Sequence, residues 1–231
     1  MKYVITDNRI DENCEISLRQ RGLEIIKLPC FPVLQEPVSA HPDMLLFLGE
    51  GRIVCHKDYF ALAEKEISKI SEITKKEIIL SCENIGLEYP RDVLFNAAAV
   101  GDKLICRLDA ASEMISEGYD VINVKQGYAK CSTCVVSDKA IITADSSIAK
   151  GAEQNGIDVL LVSSGGVRLN GYDCGFIGGA SGADKDNVYF CGNVDLHHDG
   201  ERIKEFCQKH GKVALSLSDE PLYDYGTLIF I

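Results

Sequence analysis

Apolar and polar positions in this chain fall into short blocks that return in a fixed order. The stretch "RIVCHKD" (52–58) is echoed by "KLICRLD" (103–109), and "YVITD" (3–7), "AIITADS" (140–146) and "VYFCGNVD" (188–195) follow the same plan. Overlaying them places Thr6, Cys55, Cys106, Thr143 and Cys191 at one position. Asp58, Asp109 and Ser146 follow three residues later, with Asp195 one further on because of an inserted residue. A short aliphatic run reads as a buried strand. Asp or Ser at its end reads as a helix N-cap, because a side-chain oxygen can accept from the free N–H groups of a first turn. The pattern therefore predicts a strand handing over to a helix, five times.

Helical periodicity follows most of these blocks. In "DYFALAEKEISKISEITKK" (58–76), Phe60, Ala63, Ile67, Ile70 and Ile73 form an apolar stripe. Gly22, Gly118, Gly156 and Gly211 close the other helical segments, as residues tolerant of the left-handed conformation. The long helix instead ends in Lys75 and Lys76, favourable charges at a C-terminus. A second strand phrase comes next: "LEIIKLP" (23–29), "EIILSC" (77–82), "YDVINV" (119–124), "IDVLLV" (157–162) and "KVALSL" (212–217). After a polar stretch comes a third: "DMLLFLG" (43–49), "DVLFNAAAV" (92–100), "STCVVS" (132–137), "CGFIGGASG" (174–182) and "YGTLIFI" (225–231). Turns such as Gly49-Glu50-Gly51 suit a hairpin into the next copy.

The expected fold is thus α/β, one domain over 1–231 built from five strand–strand–helix–strand units. The first strand lacks a preceding partner and the last lacks a following one. Their pairing would close a five-bladed α/β propeller, and the polar stretches before the third strands would gather at one end of its channel.

Composition narrows the function classes. A formal net charge of −11 without a basic stripe argues against nucleic acid and suits a cationic ligand. The start "MKYVITDNRIDENCE" meets charges too early for a secretory segment, and no apolar run is long enough to span a membrane. Ten Cys, many inside apolar runs, read as reduced buried thiols of a cytoplasmic protein. The sequence calls for no cofactor or metal and leaves oligomerisation open.

Five such units in a ring resemble the pentein, or guanidino-modifying enzyme, superfamily, which includes arginine deiminases, dimethylarginine hydrolases, amidinotransferases and agmatine deiminases, and also a non-enzymatic ribosome anti-association factor. "RGLEIIKLPC…HPDMLLFLGEG" looks like its first module, where a Pro-Asp precedes an apolar strand. "LEYPRDVLFNAAAVGDKLIC" is similar to the module with a Glu-Gly-Gly-Asp stretch, keeping Glu88 and Asp92 around Tyr-Pro-Arg. The resemblance implies a channel site drawn from His41 and Asp43; Glu88, Arg91, Asp92 and Asn96; Tyr128, Lys130, Cys131 and Cys134; Arg168, Asn170, Tyr172, Asp173 and Cys174; and Asp219, Glu220, Tyr223, Asp224 and Tyr225. Family hydrolases attack a guanidinium carbon with a Cys thiolate, move protons with a His and grip the cation with carboxylates.

In the family's own module order, Asp224 and Tyr225 stand near the place of the Cys, and Tyr128 or Lys130 in that of the His. That register implies a non-catalytic binding protein on the same scaffold, or a different reaction. Rotating the register round the ring gives the order Cys131 or Cys134, Asp173, Asp224, His41, and then the module of Asp92. This register implies an enzyme with Cys131, His41, Asp173 and Asp224 as catalytic groups. Asp43, Glu88, Arg91, Asp92, Asn96, Cys134, Arg168 and Cys174 would then line the substrate. Either way the expected partner is a cationic or guanidino-type small molecule.

Other motifs read more plainly. "CSTC" (131–134) suggests redox or zinc chemistry but runs into a strand, which favours one channel thiol and one core thiol. His197 and His198 read as solvated, "GGASG" (178–182) as close backbone packing rather than a phosphate loop, and "DKDN" (184–187) as a hairpin tip rather than a calcium loop. Cys55, interchangeable with Thr across the copies, reads as a packing position.

Overall fold

The computed structural model describes residues 2–231. Its strands run β1 Lys2–Asp7, β2 Leu23–Leu28, β3 Leu46–Leu48, β4 Arg52–His56, β5 Glu77–Ser81, β6 Ala98–Val100, β7 Lys103–Cys106 and β8 Asp120–Asn123. They continue with β9 Thr133–Ser137, β10 Ala140–Thr143, β11 Asp158–Leu161, β12 Ser181–Ala183, β13 Asn187–Phe190, β14 Val213–Ser216 and β15 Ile229–Phe230. These form five separate three-stranded sheets: β15-β1-β2, β3-β4-β5, β6-β7-β8, β9-β10-β11 and β12-β13-β14. In each, the middle strand pairs antiparallel on one side and parallel on the other. The chain ends meet: β1 pairs with β15 through Val4↔Phe230 and Ile5↔Ile229, and Tyr3 and Ile231 exchange backbone hydrogen bonds.

The marker residues explain why the middle strands recur. Thr6, Cys55, Cys106, Thr143 and Cys191 are all buried at or next to the end of a middle strand. Burial pushes the Cys55 thiol up to about 12 and that of Cys106 to about 11, so both are inert packing groups.

Helices cross from the middle strand to its parallel neighbour: α1 Glu12–Gln20, α3 Lys57–Leu62 with α4 Glu64–Thr74, α5 Ser146–Gln154 and α6 Gly200–Lys209. A four-residue helix, α2 Pro42–Leu45, leads into β3. The third crossover carries only a 3-10 turn, Glu113–Ile115.

Several local expectations are corrected. The stripe on 58–76 is interrupted at Ala63 (φ −114°, ψ 26°), and the fully buried aromatic there is Tyr59 rather than Phe60. Lys75 adopts the left-handed conformation usual for glycine (φ 59°), and the Lys76 ammonium donates to the Gly49 carbonyl. Capping falls one or two residues earlier than read. His56, Asp145 and Asn193 accept the free N–H groups, whereas Asp58, Ser146 and Asp195 lie inside their helices and Asp109 pairs with Arg107. The third strands are shorter than their apolar runs. Residues 92–97, 174–180 and 225–228 turn inward as loops, because they carry polar groups and glycines that no ladder could accommodate.

One cavity of about 290 Å³ is lined by residues of β3, β6, β9, β12 and β15. Among the described residues no helix is long and apolar enough to cross a membrane.

Candidate functional site

The loops before β3, β6, β9 and β15, with the end of β1, carry a polar cluster, of which Asp43, Lys130 and Thr227 line this cavity. His41 immediately precedes α2, without a side-chain capping bond, and Asp43 lies in its first turn. Asp92 and Asn96 precede β6, Lys130 and Cys131 precede β9, and Asp224 and Thr227 precede β15. Asp7 closes β1. His41, Asp43, Asp92, Asn96, Cys131 and Asp224 are each at most 3% exposed.

The loop before β12 contributes backbone instead of side chains. An alanine Cβ at Gly179 would fall inside the Asp224 carboxylate, and one at Gly178 would strike the Lys130 and Thr133 backbone. These are the glycines of "GGASG", and close approach is their role. Replacing Gly179 with Ala should therefore lower the unfolding free energy by about 1–3 kcal/mol, measured by urea denaturation, through overpacking against a fixed carboxylate. A midpoint unchanged from wild type would show that Asp224 is not fixed there.

Asp224 is held from two sides. Its Oδ2 accepts from the Phe176 amide and its Oδ1 from the Gly226 amide, each at 2.9 Å. Gly226 (φ 67°) passes so close to His41 that no side chain would fit, and its carbonyl accepts from the Asp43 amide. Thr227 also holds a positive φ (75°), unusual for a β-branched residue. It is fixed by its amide on the Gly179 carbonyl and by its hydroxyl, which accepts from Lys130 Nζ at 2.6 Å.

His41 sits between two carboxylates, with Nδ1 3.7 Å from Asp224 Oδ1 and Nε2 3.9 Å from Asp7 Oδ2. Burial pushes its pKa down and the two acids only partly oppose this, so the ring is neutral near pH 7.

Asn96 organises the thiol. Its carbonyl oxygen accepts from the Lys130 and Cys131 amides, which orients its amide nitrogen to donate to Cys131 Sγ at 3.0 Å and to the Asp43 carbonyl at 3.2 Å. Cys131 stands beside Asp43 and within electrostatic reach of Asp224. Burial, then these two acids, push its thiol well above the usual range. Burial raises Asp43 to about 6, although Lys130 pulls it down, and burial raises Asp224 as well. Tyr128 donates to Asp92 Oδ2 at 2.5 Å.

Three buried carboxylate oxygens, both of Asp43 and Oδ1 of Asp92, have no hydrogen-bond partner, nor does His41 Nδ1. Buried acceptors without donors are costly unless a ligand completes them. A planar cation with forked N–H donors is their complement. The cluster also lies between two cavities. His41 and Asp224 line an outer one of about 290 Å³, and Asp43, Lys130 and Thr227 line the inner one.

Not every expected residue joins. Asp173, Glu88, Arg91 and Arg168 are exposed. Asp173 follows a turn at Gly171 (φ 83°), and Arg168 spends its backbone on Leu222 and Asp224. Cys134 lies on β9 in an apolar cluster with Val136, Ile142 and Phe190. Cys174 lines a separate cavity of about 120 Å³ with Ser132 and His197. His197 is buried rather than solvated, its Nδ1 accepting from the Asp199 amide. Asp7, Arg9 and Thr227 were not legible as site residues. Asp7 read as the polar end of a strand, and only its lack of a helix-capping role distinguishes it. Among the described residues no group of three or more His, Cys, Asp or Glu converges as a metal site would.

Comparison with known proteins follows the fold. A profile described as Family of unknown function (DUF6873) matches residues 5–229. No curated protein matches by sequence. Among solved structures, DDAH from Pseudomonas aeruginosa complexed with citrulline superposes with a TM-score of 0.57 at 11% identity, covering 94% of this chain and 92% of that one. An amidinotransferase from Microseira wollei in the saxitoxin biosynthetic pathway gives 0.54 at 8% identity, covering 87% and 72%. Agmatine deiminase from C. jejuni gives 0.52 at 9%, covering 94% and 87%. The chain shares the pentein fold with these proteins.

Proposed function

The chain belongs to the family of unknown function DUF6873, and from its buried acidic cluster we propose that it acts on a small guanidino- or amidino-type cation. The carrying observation is the buried Asp43 carboxylate beside the Cys131 thiol, with Asp224 in electrostatic reach and a further unpaired carboxylate oxygen on Asp92. We read the whole of 1–231 as one unit and its sheets as blades of one closed ring. The β1–β15 pairing and the cavity shared by the five short strands support that reading.

In this reading Asp43 and Asp224 grip the cation, and Asp92 extends the acidic wall. The Cys131 thiol gives its proton to a neighbouring base, Asp43 or neutral His41 through Asp224, and its sulfur attacks the amidinium carbon. A C–N bond breaks, the departing amine takes the proton, and an amidino group remains on sulfur. Water then adds to that carbon and the C–S bond breaks, which releases a urea and restores the thiol. His41, neutral and 3.7 Å from Asp224, is near enough to exchange protons with it once a ligand or water closes the gap. The role first given to Asp173 passes to Asp43.

The test is to mix the protein with an alkylguanidine, quench in acid and map the peptides by mass spectrometry. An amidino group on Cys131 alone is expected. A second reading, binding without chemistry, is favoured by the raised pKa of that thiol and by Asp224 and Lys130 standing near the places of the family's Cys and His. Tight binding of the alkylguanidine with no adduct on any Cys would establish that reading instead.

A further inference from the structure

The outer cavity constrains the far end of the ligand. Three carboxylates line it, Asp7, Glu36 and Asp224, against one cation, Arg9. That guanidinium has no free donor. Its Nε donates to Asp7 Oδ1 at 3.0 Å, one terminal nitrogen donates to the Glu36 carbonyl (2.6 Å) and carboxylate (3.1 Å), and the other donates to Asp7 Oδ2 (2.7 Å) and the Pro37 carbonyl (3.0 Å). A guanidinium has five N–H groups, and all five are used. Arg9 therefore cannot clamp a ligand carboxylate without giving up a bond to Asp7 or the Glu36–Pro37 loop. The rest of the wall suits a positive charge. The Tyr223 and Tyr225 rings lie 4.6 Å apart at the mouth, and aromatic faces attract cations.

Resting on the reading of the cluster as a guanidinium site, we infer that the ligand carries no carboxylate and that its far end is an amine, which makes it a dication and not a guanidino acid. A ligand carboxylate would face the acids of Asp7, Glu36 and Asp224 with no free cation to meet it, only the neutral donors of Asn170, Tyr223 and Tyr225. An ammonium would face the same acids favourably.

Calorimetric titration of the whole protein with three probes tests this: guanidinium ion, an ω-aminoalkylguanidine, and the guanidino acid with the same spacer. The aminoalkylguanidine should bind at least about tenfold more tightly than the acid, from Coulomb interactions at a partly solvated site. Equal or tighter binding of the acid overturns the inference while leaving the guanidinium site standing. No heat with any probe, guanidinium included, removes the site itself and the inference with it. Glu36→Gln, at a side chain 84% exposed and so neutral for folding, should narrow the ratio about threefold. Asp7→Asn, which removes one of the two Asp7 acceptor oxygens and so frees an Arg9 donor, should narrow it further. A ratio unmoved by both variants overturns the assignment of the mouth.

Discussion

Replacing Asp43 with Asn should make the protein more stable at neutral pH and remove cation binding. Asp43 is fully buried, neither oxygen has a well-formed donor beyond the adjoining Cys131 thiol, and burial holds its carboxyl at about 6, above the ordinary 3.8. Lys130 and Cys131 favour its charged form, and Asp7 and Asp224 oppose it. A folded pKa above the unfolded one means that the native state holds more protons between about pH 4 and pH 6. Stability therefore falls as pH rises through that window, and the loss is complete above it. The shift corresponds to about 3 kcal/mol at pH 7.5 by linkage, an upper bound because Asn keeps buried polar atoms that also want partners. Urea unfolding should show Asp43→Asn more stable than wild type by about 1–3 kcal/mol at pH 7.5 and no more stable at pH 4. Guanidinium affinity should drop about a hundredfold. A variant destabilised equally at both pH values would mean that Asp43 is a structural acceptor whose partners matter more than its charge.

A site that costs stability leaves a particular trace in sequence. The strands were legible because each middle strand is a short aliphatic run ending at a small buried residue, and burial forces the same choice five times. The loops before the third strands were legible as candidates for a site because they break apolar runs with His41, Asp43, Asp92 and Asp224. Which loop residue points inward was not legible. Asp173 and Asp92 each precede an apolar run, yet Asp92 is buried and Asp173 exposed. The difference lies in tertiary crowding: Gly175 and Gly179 press against Asp224 and leave no room for another side chain. Asp7 escaped notice because its burial depends on Arg9, whose own course is set by the distant loop of Glu36 and Pro37. The break at Ala63 and the left-handed Lys75 escaped for the same reason, since helical periodicity continues smoothly through both.

The thiol of Cys131 should react with a cationic reagent far faster than with a neutral one of the same leaving group. Burial and the charges of Asp43 and Asp224 hold that thiol well above its usual range, so the resting protein has almost no thiolate there. A bound amidinium changes the balance. It neutralises the two carboxylates that oppose thiolate formation and adds an attractive charge beside sulfur, where the Asn96 amide already donates at 3.0 Å. Haloacetamidine should therefore alkylate Cys131 with saturating kinetics, on the order of a hundredfold faster than the matching haloacetamide at pH 8, with each pKa unit recovered worth about tenfold in thiolate. Guanidinium should protect, and Cys131→Ala should abolish the fast phase while leaving the slow reaction of exposed Cys82 unchanged. Asp43→Asn should lose most of the advantage of the cationic reagent, because the same carboxylate both captures the cation and suppresses the empty site. Equal rates for the two reagents, with labelling spread over Cys82, Cys30 and Cys174, would leave Cys131 a packing residue and the acidic cluster a binding site without chemistry.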